Sequence, residues 1–576
     1  MHLQDDYQGF EETLLIAFDV GTTYSRISYS ILNPGKKPEV QSVHRFPGQE
    51  KAGGTAKLPS IIYYDKNGKV RAVGAEAEGD NVEVTADEEN WHKVEWFKLH
   101  LRPKSSDLEA SAGIPLGKTV VEVLSDFLKY LKTCAEQHIQ DFHPGIGSSL
   151  WDGRKIHYIL SHPNGWGGPQ RTLMRKAAQN AGLIRPRSRN QLSFITEGEA
   201  RLYRCMEETE AVIGDQGISI VHAGNGTIDI SAYARNIKSD KFEEIAEAQC
   251  HFKGSIFVTR AFGDYLRNFL KDSKFREDIP WMKEYFDKTT KLTFREPRDP
   301  WYIRFGSSRD KDSRFGITAG KLRLEGTIIA SFFEPSIRCI IDGVLTQCSV
   351  AHKAVSHVFL VGQFAANGYL FDRVKDELQS HGLCVHRPLR VAVADGAISG
   401  ILAGASRNRV SQYPLGIKVP TRYNKKIAEH RCRRQNCLQL PSGYLAIPDT
   451  FNVIIERNIQ VSETQEFRSR ISHKSTKRAR LLHLEEDIIC YRGDLNAVEC
   501  QYMDNDPDNF HKLCTVRAYL GDTPIPLRSG PGGSYYEIDF DVVLLTGVGE
   551  FKAHIAWIEK GEEKRGPARI IYDTNL

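Results

Sequence analysis

Two distant segments of the chain share one pattern, and this internal similarity restricts the fold more than any other feature. Residues 14–30 and 218–233 each contain an apolar strand, a turn of small residues and a second strand that alternates between apolar and polar side chains. The aligned pairs are Asp19 and His222, Gly21 and Gly224, Ile27 and Ile230, and Ser28 and Ser231. The repeat predicts a duplicated lobe, in which each copy presents one β-hairpin turn to a shared cleft.

Strands and helices alternate around these hairpins, which is typical of an α/β domain. The apolar spacing predicts helices at 119–140, 171–181, 368–378 and 393–404, and strands at 156–161, 192–195 and 357–361. We therefore expect an N-terminal tail at 1–12, a first lobe at about 13–213 and a second lobe at about 214–405.

The sequence changes character after about residue 405. Residues 406–420 are rich in polar residues, proline and glycine, which is typical of a linker. Residues 421–576 contain short β-type runs separated by turn residues, namely 451–456, 488–491, 518–520, 535–544 and 551–558. This last segment is expected to be a β-rich domain, a sandwich that could bind a substrate or partner protein.

The charge balance argues against some classes of partner. The 576 residues include 77 Lys and Arg against 73 Asp and Glu, a formal net charge of +4, so we expect no dedicated binding of nucleic acid or of membrane surfaces. No apolar run approaches the roughly 18 residues that span a bilayer, and residues 1–12 are acidic and polar, unlike a signal peptide. The expected location is the cytoplasm, where the 11 scattered Cys would remain reduced.

The hairpin turns have the composition of a phosphate site. Glycines let backbone N–H groups approach phosphate oxygens, and threonine hydroxyls can donate to the same oxygens, so two such turns can hold a polyphosphate from both sides. Residues 13–405, which include both turns, resemble the heat-shock 70 kDa chaperone family, in particular its lid-poor eukaryotic relatives. The matching stretches are FDVGTTYSRIS and VHAGNGTIDIS for the two phosphate motifs, VFLVGQFAANGYL for the adenosine motif, and ITEGEARLY for the segment with a catalytic glutamate.

The resemblance implies an α/β fold of two duplicated actin-like ATPase (ribonuclease H-like) lobes around a nucleotide cleft, followed by the β-rich C-terminal domain. It also implies ATP or ADP and Mg²⁺ as cofactors. Asp19 would bind Mg²⁺ through water, Lys98 would reach the γ-phosphate, and Glu197 would position the attacking water. The nucleotide-binding positions that the resemblance implies are Gly21, Thr22, Thr23, Gly224, Asn225, Gly226, Thr227, Gly362, Gln363, Asp287 and Lys291.

All three ligand loops depart from the family pattern. His222 replaces a second metal-site aspartate, and because imidazole is a poor Mg²⁺ ligand, one oxygen and one negative charge are lost. Asn225 replaces a glycine; asparagine tolerates a positive φ, but its side chain would occupy phosphate space. Gln363 and Ala365 replace two glycines of the adenosine turn and would crowd the nucleotide. The usual leucine-rich acidic linker between the domains is also absent.

Some of these residues have a second interpretation. Glu197 could be a solvated carboxylate at the start of a helix, and Lys98 could be a surface lysine.

The segment 112–119 mimics a phosphate-binding P-loop, but Ala112 stands where the first glycine belongs. A loop that opens the following helix is therefore favoured.

Two further clusters have some features of a binding site. His430, Cys432 and Cys437 lack a second ligand pair at the spacing of a zinc site. The segment 468–480 is basic but has no aromatic residues to stack on bases. A solvated loop between strands is therefore favoured over a nucleic-acid contact or a nuclear targeting signal.

Three hypotheses for function follow. The first is an ATP-binding, chaperone-type protein whose ATP hydrolysis is weak or lost and whose β-rich domain binds unfolded or client protein segments. The second is a pseudoenzyme that serves as an interaction scaffold with a degenerate cleft, which His222, Asn225 and Gln363 motivate. The third is a small-molecule kinase of the same superfold, for which the sequence reveals no catalytic aspartate base. Fold analogy alone does not decide among them.

Overall fold

The computed structural model describes most of the chain, and the description below is restricted to these residues. They are 6–49, 56–101, 114, 117–145, 151, 155–164, 166, 168–185, 191–208, 216–238, 241–388, 391–403, 409–411, 413–461, 465–495, 499–521, 523–547 and 550–571. The chain forms two compact units. The first comprises Met1–Lys98, Ala112–Gly165 and Ala177–Ser406, and the second comprises Leu99–Ser111, Trp166–Lys176 and Arg407–Leu576.

The chain up to residue 403 is mixed α/β, as the sequence predicts. Its strands are β1 (Thr13–Asp19), β2 (Tyr24–Leu32), β3 (Gln41–Ser42), β4 (Leu58–Pro59), β5 (Ile61–Tyr64), β6 (Val70–Val73), β7 (His92–Glu95), β8 (Ile156–His162), β9 (Leu192–Thr196), β10 (Gly217–Ala223), β11 (Ile228–Asn236), β12 (Lys241–His251), β13 (Trp301–Arg304), β14 (Ile317–Thr318), β15 (Lys321–Leu324), β16 (Val355–Val361) and β17 (Cys384–His386). Its helices are α1 (Asp80–Glu88), α2 (Val120–Phe142), α3 (Gly168–Asn180), α4 (Glu197–Glu208), α5 (Ser255–Phe269), α6 (Ile279–Tyr285), α7 (Lys291–Thr293), α8 (Gly326–Val350), α9 (Gly368–Ser380) and α10 (Val393–Leu402).

Two sheets of the first unit have the same strand order. One runs β3-β2-β1-β8-β9, with β4 also paired to β2, and the other runs β12-β11-β10-β16-β17. In each sheet, the first hairpin strand is antiparallel to the second and parallel to the strand on its other side. Each hairpin turn therefore follows the carboxyl end of a central strand, at the edge of the sheet where ligands of α/β proteins commonly bind.

The registers of the two hairpins agree with the alignment made from the sequence. Phe18 lies opposite Ile27 in the first hairpin, and the aligned residues Val221 and Ile230 lie opposite each other in the second. Residues 14–18 of β1 are all buried, which is expected of a central strand covered on both faces.

Helix α10 packs on the sheet of the first lobe, although the sequence analysis placed residues 214–405 in the second lobe. Leu15 of β1 shares a core with Ile398, and Ser28 Oγ donates a hydrogen bond of 2.5 Å to Asp395 Oδ1. Helical periodicity predicts the helix but does not reveal which sheet it covers.

Small residues allow α10 to cross α4 at close range. A Cβ atom on Gly396 would lie 1.9 Å from the carbonyl oxygen of Ala200, so only glycine fits there. A Cβ atom on Gly400 would lie 2.7 Å from the side chain of Ile195. This contact fixes α4, which begins at Glu197, against the first sheet.

Each lobe also carries a small three-stranded sheet, in the order β6-β5-β7 in the first lobe and β13-β15-β14 in the second. Strand β7 leads directly to Trp96 and Lys98. In the second lobe, a π-helical turn at Phe286–Thr290 joins α6 to α7, and such turns are frequent at functional sites.

Aromatic packing holds this π-helical turn in place. Phe286 is fully buried, and its ring stacks on Phe262 with 4.1 Å between the ring centroids. Phe294, just beyond α7, stacks on Phe333 of α8 at 5.5 Å. Large buried aromatic rings contribute strongly to core stability, so Asp287 and Lys291 are presented from a rigid support.

The remainder of the chain is dominated by strands. They are β18 (Arg409–Val410), β19 (Leu415–Arg422), β20 (Leu438–Gln439), β21 (Leu445–Ile455), β22 (Gln460–Val461), β23 (Glu466–Ser475), β24 (His483–Tyr491), β25 (Phe510–Tyr519), β26 (Leu527–Gly530), β27 (Gly533–Gly547), β28 (Glu550–Glu559), β29 (Glu562–Arg565) and β30 (Arg569–Ile571), with one short helix, α11 (Ala428–Cys432). Each of the β runs predicted from the sequence overlaps one of these strands.

Two antiparallel sheets of the second unit enclose one core. The first runs β20-β21-β19-β24-β25, and the second runs β23-β27-β28-β29, with β26 and β30 paired to its side. Ile417 and Ile488 of the first sheet share the core with Phe540, Val542 and Ile555 of the second. The two sheets therefore pack face to face as a sandwich.

Residues 415–420 lie in β19, although the sequence analysis assigned 406–420 to a linker. That assignment depended on glycine and proline, which weaken regular strands. In β19, Gly416 and Pro420 coincide with irregularities in the pairing with β21, between Leu415 and Gly416 and between Val419 and Thr421. The strand thus tolerates both residues at its bulges.

The basic segment 468–480 is also different from the expected loop, because residues up to Ser475 belong to β23. Acidic residues of the same sheet pair with some of its basic side chains. Arg468 pairs with Glu563 of β29 at 2.7 Å, and Lys474 pairs with Glu537 of the adjacent strand β27 at 3.2 Å. These ion pairs offset part of the charge of the segment.

Several smaller expectations have a structural outcome. No helix in the described ranges is long and apolar enough to cross a membrane. In the described part of the chain, no disulfide is assigned between Cys residues. His430 is buried, and its Nδ1 accepts a hydrogen bond from the Asn424 backbone, so it stabilises a turn.

Thr119 and Glu122 form a capping box at the start of α2, as expected for a helix-opening loop. Of the segment that mimics a P-loop, residues 112, 113, 115 and 116 lie outside the described residues.

Candidate functional site

A cleft of about 600 Å³ lies in the first unit, and its walls come from both hairpin turns, the small sheet of the first lobe, the π-helical turn with α7, and the turn after β16. This volume is typical of a small-molecule site. The lining residues are Thr22, Thr23, Tyr24, Ser60, Ile61, Glu78, Glu95, Trp96, Asn225, Ser255, Asp287, Lys288, Lys291, Leu292, Gln363, Phe364, Ala366 and Asn367. Thr22, Thr23, Asn225, Asp287, Lys291 and Gln363 of the predicted set therefore line one cavity.

The first turn is tight and requires glycine at its start. A Cβ atom on Gly21 would lie 2.0 Å from the carbonyl oxygen of Tyr24. The turn is attached to the small sheet, because the backbone N–H of Ser60 donates to the Thr23 carbonyl at 2.9 Å. Thr22 and Thr23 are half-buried and line the cleft.

The second turn is held against the beginning of α5. Gly224 N–H donates to the Thr227 carbonyl at 2.9 Å, which closes the turn, and Ile256 N–H donates to the Asn225 carbonyl at 2.9 Å. Ser255 Oγ donates to Asn225 Oδ1 at 3.0 Å. The backbone at Asn225 is not left-handed, so a positive φ is not the reason that asparagine is accepted here; its side chain is oriented by Ser255 at the wall of the cleft.

The second turn also exposes part of its backbone. Gly226 is exposed, and a Cβ atom added to it would meet no atom within 4 Å. Gly224 is buried, and a Cβ atom there would lie 2.9 Å from Cε1 of His222. The turn therefore combines one packed glycine with one that leaves open space beside the backbone.

The third turn depends on Gly362. Its φ of +104° is rarely adopted by other residues, and a Cβ atom would lie 2.4 Å from the carbonyl oxygen of Ala223. Gln363 lines the cleft as expected. Ala365 is buried in the core of the second lobe, so it does not crowd the cleft as the sequence analysis predicted.

Asp287 and Lys291 form a polar group on the side of the cleft that the second lobe supplies. Lys291 Nζ donates to Asp287 Oδ1, and Thr259 Oγ1 donates to the same oxygen at 2.5 Å. Burial would raise the pKa of Asp287, but the hydrogen bonds from Lys291 and Thr259 lower it below its usual range. The amide of Asn367 donates to the Lys291 carbonyl at 2.9 Å and so ties this group to the third turn.

Lys98, Glu197 and Arg201 form a buried ion network. Lys98 Nζ lies 2.8 Å from Glu197 Oε1, and an Arg201 guanidinium nitrogen lies 2.9 Å from Glu197 Oε2. The three side chains are only 8%, 13% and 7% exposed, respectively. The alternative interpretations of Lys98 as a surface lysine and of Glu197 as a solvated carboxylate are therefore wrong.

The charges in this network control two carboxylates. Burial would raise the pKa of Glu197, but Lys98, Arg201 and His222 outweigh it and hold the pKa well below its usual range. Burial, followed by repulsion from Glu197, raises the pKa of Asp19, although Ser161 Oγ donates to Asp19 Oδ1 at 2.7 Å. Asp19 thus lies at the end of β1 within the electrostatic reach of the network.

His222 faces a carboxylate that the sequence analysis did not select. Its Nδ1 lies 3.4 Å from Asp229 Oδ2, and Thr227 Oγ1 donates to the same oxygen at 2.9 Å. Burial would raise the pKa of Asp229, but the hydrogen bond and charge of His222 lower it. The register supports this pair, because His222 and Asp229 lie opposite each other in the second hairpin.

Trp96 lines the cleft with a strained backbone. Its φ is +56°, which is uncommon for a residue with a bulky side chain. Such conformations cost about 1–3 kcal/mol and cluster at functional sites. The bend at Trp96 lies between β7 and Lys98, which suits a segment that must both form a cleft wall and bury a lysine.

Sequence reasoning missed Arg201, Asp229 and Ser161. Arg201 could have been found, because it follows Glu197 by one helical turn, a spacing at which opposite charges pair. Asp229 could have been found from its position opposite His222 in a hairpin. Ser161 carries no signal of its own, since its contact with Asp19 depends on the pairing of β1 with β8.

No protein-family model matches the chain. Heat shock 70 kDa protein 12A of Mus musculus is 22% identical to it over 498 residues, which cover 71% of this chain and 72% of that protein. The Homo sapiens protein of the same name gives the same identity and coverage. Heat shock 70 kDa protein 12B of Homo sapiens is 25% identical over 199 residues, covering 34% of this chain and 28% of that protein.

Proposed function

We propose that this chain, a divergent relative of the heat-shock 70 kDa proteins, binds ATP in the cleft of an actin-like fold and hydrolyses it weakly or not at all. We further propose that the second unit, a β sandwich, binds unfolded or client protein segments. The observation that carries the proposal is the cleft itself, because it collects turns from two sheets of equal topology around a cavity of about 600 Å³.

The residues of the cleft fit a nucleotide. Thr22 and Thr23 offer hydroxyl donors from one side, and Asn225 and Ser255 offer polar groups from the other. Phosphate oxygens are bound by such hydroxyls and by backbone N–H groups of glycine-containing turns. Lys291 also lines the cavity, where its ammonium is paired with Asp287 and bonded to Thr259.

The fit to Mg²⁺ is weaker. Mg²⁺ prefers oxygen ligands and retains much of its water, so Asp19 would hold it through water. When bound, Mg²⁺ would neutralise phosphate charge. His222 supplies nitrogen where the family has an aspartate, and its partner Asp229 is already engaged by Thr227.

The surroundings of Glu197 favour weak or lost hydrolysis. Both of its carboxylate oxygens accept from cations, one from Lys98 and the other from Arg201. Because these cations hold the pKa of Glu197 well below its usual range, its carboxylate is a weak base toward an attacking water. In this arrangement Lys98 and Glu197 stabilise the lobe rather than act on a phosphate.

The first prediction concerns nucleotide binding. Isothermal titration of the full chain with Mg·ATP and with Mg·ADP, each with and without EDTA, is expected to show saturable binding. The isosteric double variant Thr22→Val/Thr23→Val should bind about tenfold more weakly, because it loses roughly one net hydrogen bond of about 1–1.5 kcal/mol.

The matched control is Thr318→Val, which alters an exposed threonine of β14 outside the cleft lining. It should bind as the wild type does. A folded wild-type protein that gives no binding heat and no thermal stabilisation with either nucleotide would refute the proposal.

The alternative function is an interaction scaffold whose cleft has lost its ligand, and the pairing of His222 with Asp229 is the observation that favours it. If the cleft binds no ligand, the β sandwich is the part of the chain expected to bind a partner. Its Leu438 and Leu445, which are 40% and 42% exposed at the edge of a sheet, are candidates to contact a protein segment. Titration with a fluorescent, permanently unfolded polypeptide would detect such binding, and absence of saturation would exclude it.

His222→Asp is expected to separate these alternatives. The substitution places a carboxylate opposite Asp229, so the variant should unfold at a lower temperature than the wild type without Mg²⁺ and regain stability when Mg²⁺ is added. His222→Asn, which adds no charge, should show no such Mg²⁺ dependence.

The same variants provide a kinetic test. If His222→Asp acquires Mg²⁺-dependent ATP hydrolysis that the wild type lacks, the native cleft is that of a degenerate enzyme. If the melting temperatures of His222→Asp and His222→Asn respond equally to Mg²⁺, no metal position remains beside this turn.

A further inference from the structure

Three potential metal ligands meet on the second sheet, away from the residues that line the cleft. His357 lies on β16, and Cys384 and His386 lie on the adjacent strand β17. One donor atom of each residue lies within 4.8 Å of the donor atoms of the other two. Among the His, Cys, Asp and Glu side chains of the described residues, these three have donor atoms close enough together to hold one metal ion.

The strand register brings these three residues to one face of the sheet. Strands β16 and β17 are parallel, with His357 opposite Cys384 and Phe359 opposite His386. Because side chains alternate between faces along a strand, Cys384 and His386 share the face on which His357 and Phe359 lie. Backbone pairing therefore brings the three residues together on one face of the sheet.

The two imidazoles are already oriented toward each other. Nδ1 of His357 lies 2.9 Å from Nε2 of His386, so one of these nitrogens donates a hydrogen bond to the other. The ring of His386 also stacks on Phe359, with 4.8 Å between centroids and 19° between planes. This stacking already restricts the ring. Fixing the ring around a metal ion therefore costs less conformational entropy.

The geometry is close to that of a zinc site. Zn–N bonds of about 2.0–2.1 Å and Zn–S bonds of about 2.3 Å in a tetrahedron separate the ligand atoms by roughly 3.3–3.6 Å. The two histidine nitrogens would have to open by a few tenths of an ångström, and the thiol would have to move toward them. Small rotamer changes achieve this, since Cys384 is exposed and its thiol is not in a disulfide.

We propose that His357, Cys384 and His386 bind one Zn²⁺ ion, with a fourth position open to water or to an exogenous ligand. Two imidazoles and one thiolate are a donor set that Zn²⁺ favours. On binding, the thiol releases its proton to solvent, and the proton shared by the two imidazoles moves to a ring nitrogen that does not ligate the metal. Because β17 is an edge strand, the ion would be reached from solvent. This site does not depend on nucleotide binding.

The test uses the full chain without an affinity tag. Titration with Co²⁺ should produce a thiolate-to-cobalt charge-transfer band that saturates at one equivalent and disappears when Zn²⁺ is added. A chromophoric chelator in competition then measures the Zn²⁺ affinity. Cys384→Ser should abolish the charge-transfer band, and both Cys384→Ser and His386→Gln should weaken Zn²⁺ binding by at least about tenfold, since even residues that only orient metal ligands cost that much when replaced.

The control is Cys432→Ser. His430 and Cys432 have the same spacing as Cys384 and His386, but they lie on helix α11, where residues two apart point in different directions. Cys432→Ser should bind Zn²⁺ as the wild type does. His357→Gln is a second test variant on the other strand, and far-UV circular dichroism would verify that each variant retains the wild-type fold. Wild-type protein without a thiolate band, or folded Cys384 and His386 variants with wild-type affinity, would overturn the proposal.

Discussion

Replacing Glu197 with glutamine is expected to lower the free energy of unfolding by about 3 kcal/mol. The substitution keeps the shape of the side chain but removes the charge that pairs with Lys98 and Arg201, both less than 10% exposed. Breaking a buried ion pair by removing one partner typically costs about 3–5 kcal/mol, because the other charges remain buried without compensation. Asp19 also lies within reach of the two cations and would offset part of the loss, so the lower end of this range is expected.

Urea denaturation of the two proteins, followed by circular dichroism, would measure this difference. The control is Glu207→Gln on the same helix, because Glu207 pairs with Arg204 at 2.9 Å but both side chains are more exposed, at 19% and 27%. That variant should lose clearly less than Glu197→Gln, because solvent reaches both partners of this half-buried pair. Equal losses in the two variants would mean that the network around Glu197 contributes no more than a half-buried pair.

The effect of Glu197→Gln should also depend on pH. The pKa of Glu197 in the folded protein lies well below its ordinary value of 4.5, so the unfolded chain takes up the proton first as the pH falls. The stability that ionised Glu197 contributes is therefore fully present above about pH 4.5 and is lost as the pH falls toward the folded pKa. The difference between wild type and variant should be constant from pH 7 to about pH 5 and smaller at pH 4.

Gly362→Ala is expected to destabilise the first unit by about 3 kcal/mol or more. Two costs add at this position. The φ of +104° is unfavourable for alanine, and the new methyl group would lie 2.4 Å from the backbone oxygen of Ala223, which belongs to a central strand and cannot move independently. The third turn should then shift away from β10 and carry Gln363 with it.

Gly382→Ala is the matched control, because it isolates the backbone cost. Gly382 has a φ of +79°, but a Cβ atom there would meet no atom within 4 Å. The expected loss is only the roughly 1–2 kcal/mol of a left-handed residue other than glycine. The two midpoints of thermal unfolding should differ clearly, and if they coincide, the close approach of Gly362 to Ala223 does not constrain the turn.

Local patterns were sufficient for much of this protein. The alternation of small and apolar residues predicted both hairpins, and the alignment of Asp19 with His222 agrees with the observed registers. The β runs after residue 421 were predicted for the same reason, since strand formation depends strongly on neighbouring residues of the same chain segment. The helix predicted from residue 119 likewise begins at Val120, where Thr119 and Glu122 form its cap.

Only the tertiary structure decided which of these elements meet. Lys98 and Glu197 are 99 positions apart, and nothing local distinguishes a buried lysine from a surface one until its partner is known. Helix α10 follows the second lobe in sequence, yet its Ile398 shares a core with Leu15 of the first sheet. Ligand atoms of His357 and His386 converge because two parallel strands adopt one register among several possible ones. Sequence determined the elements, because their formation depends on near neighbours. The tertiary structure determined burial, charge pairing and the candidate sites, because these depend on contacts between residues far apart in the chain.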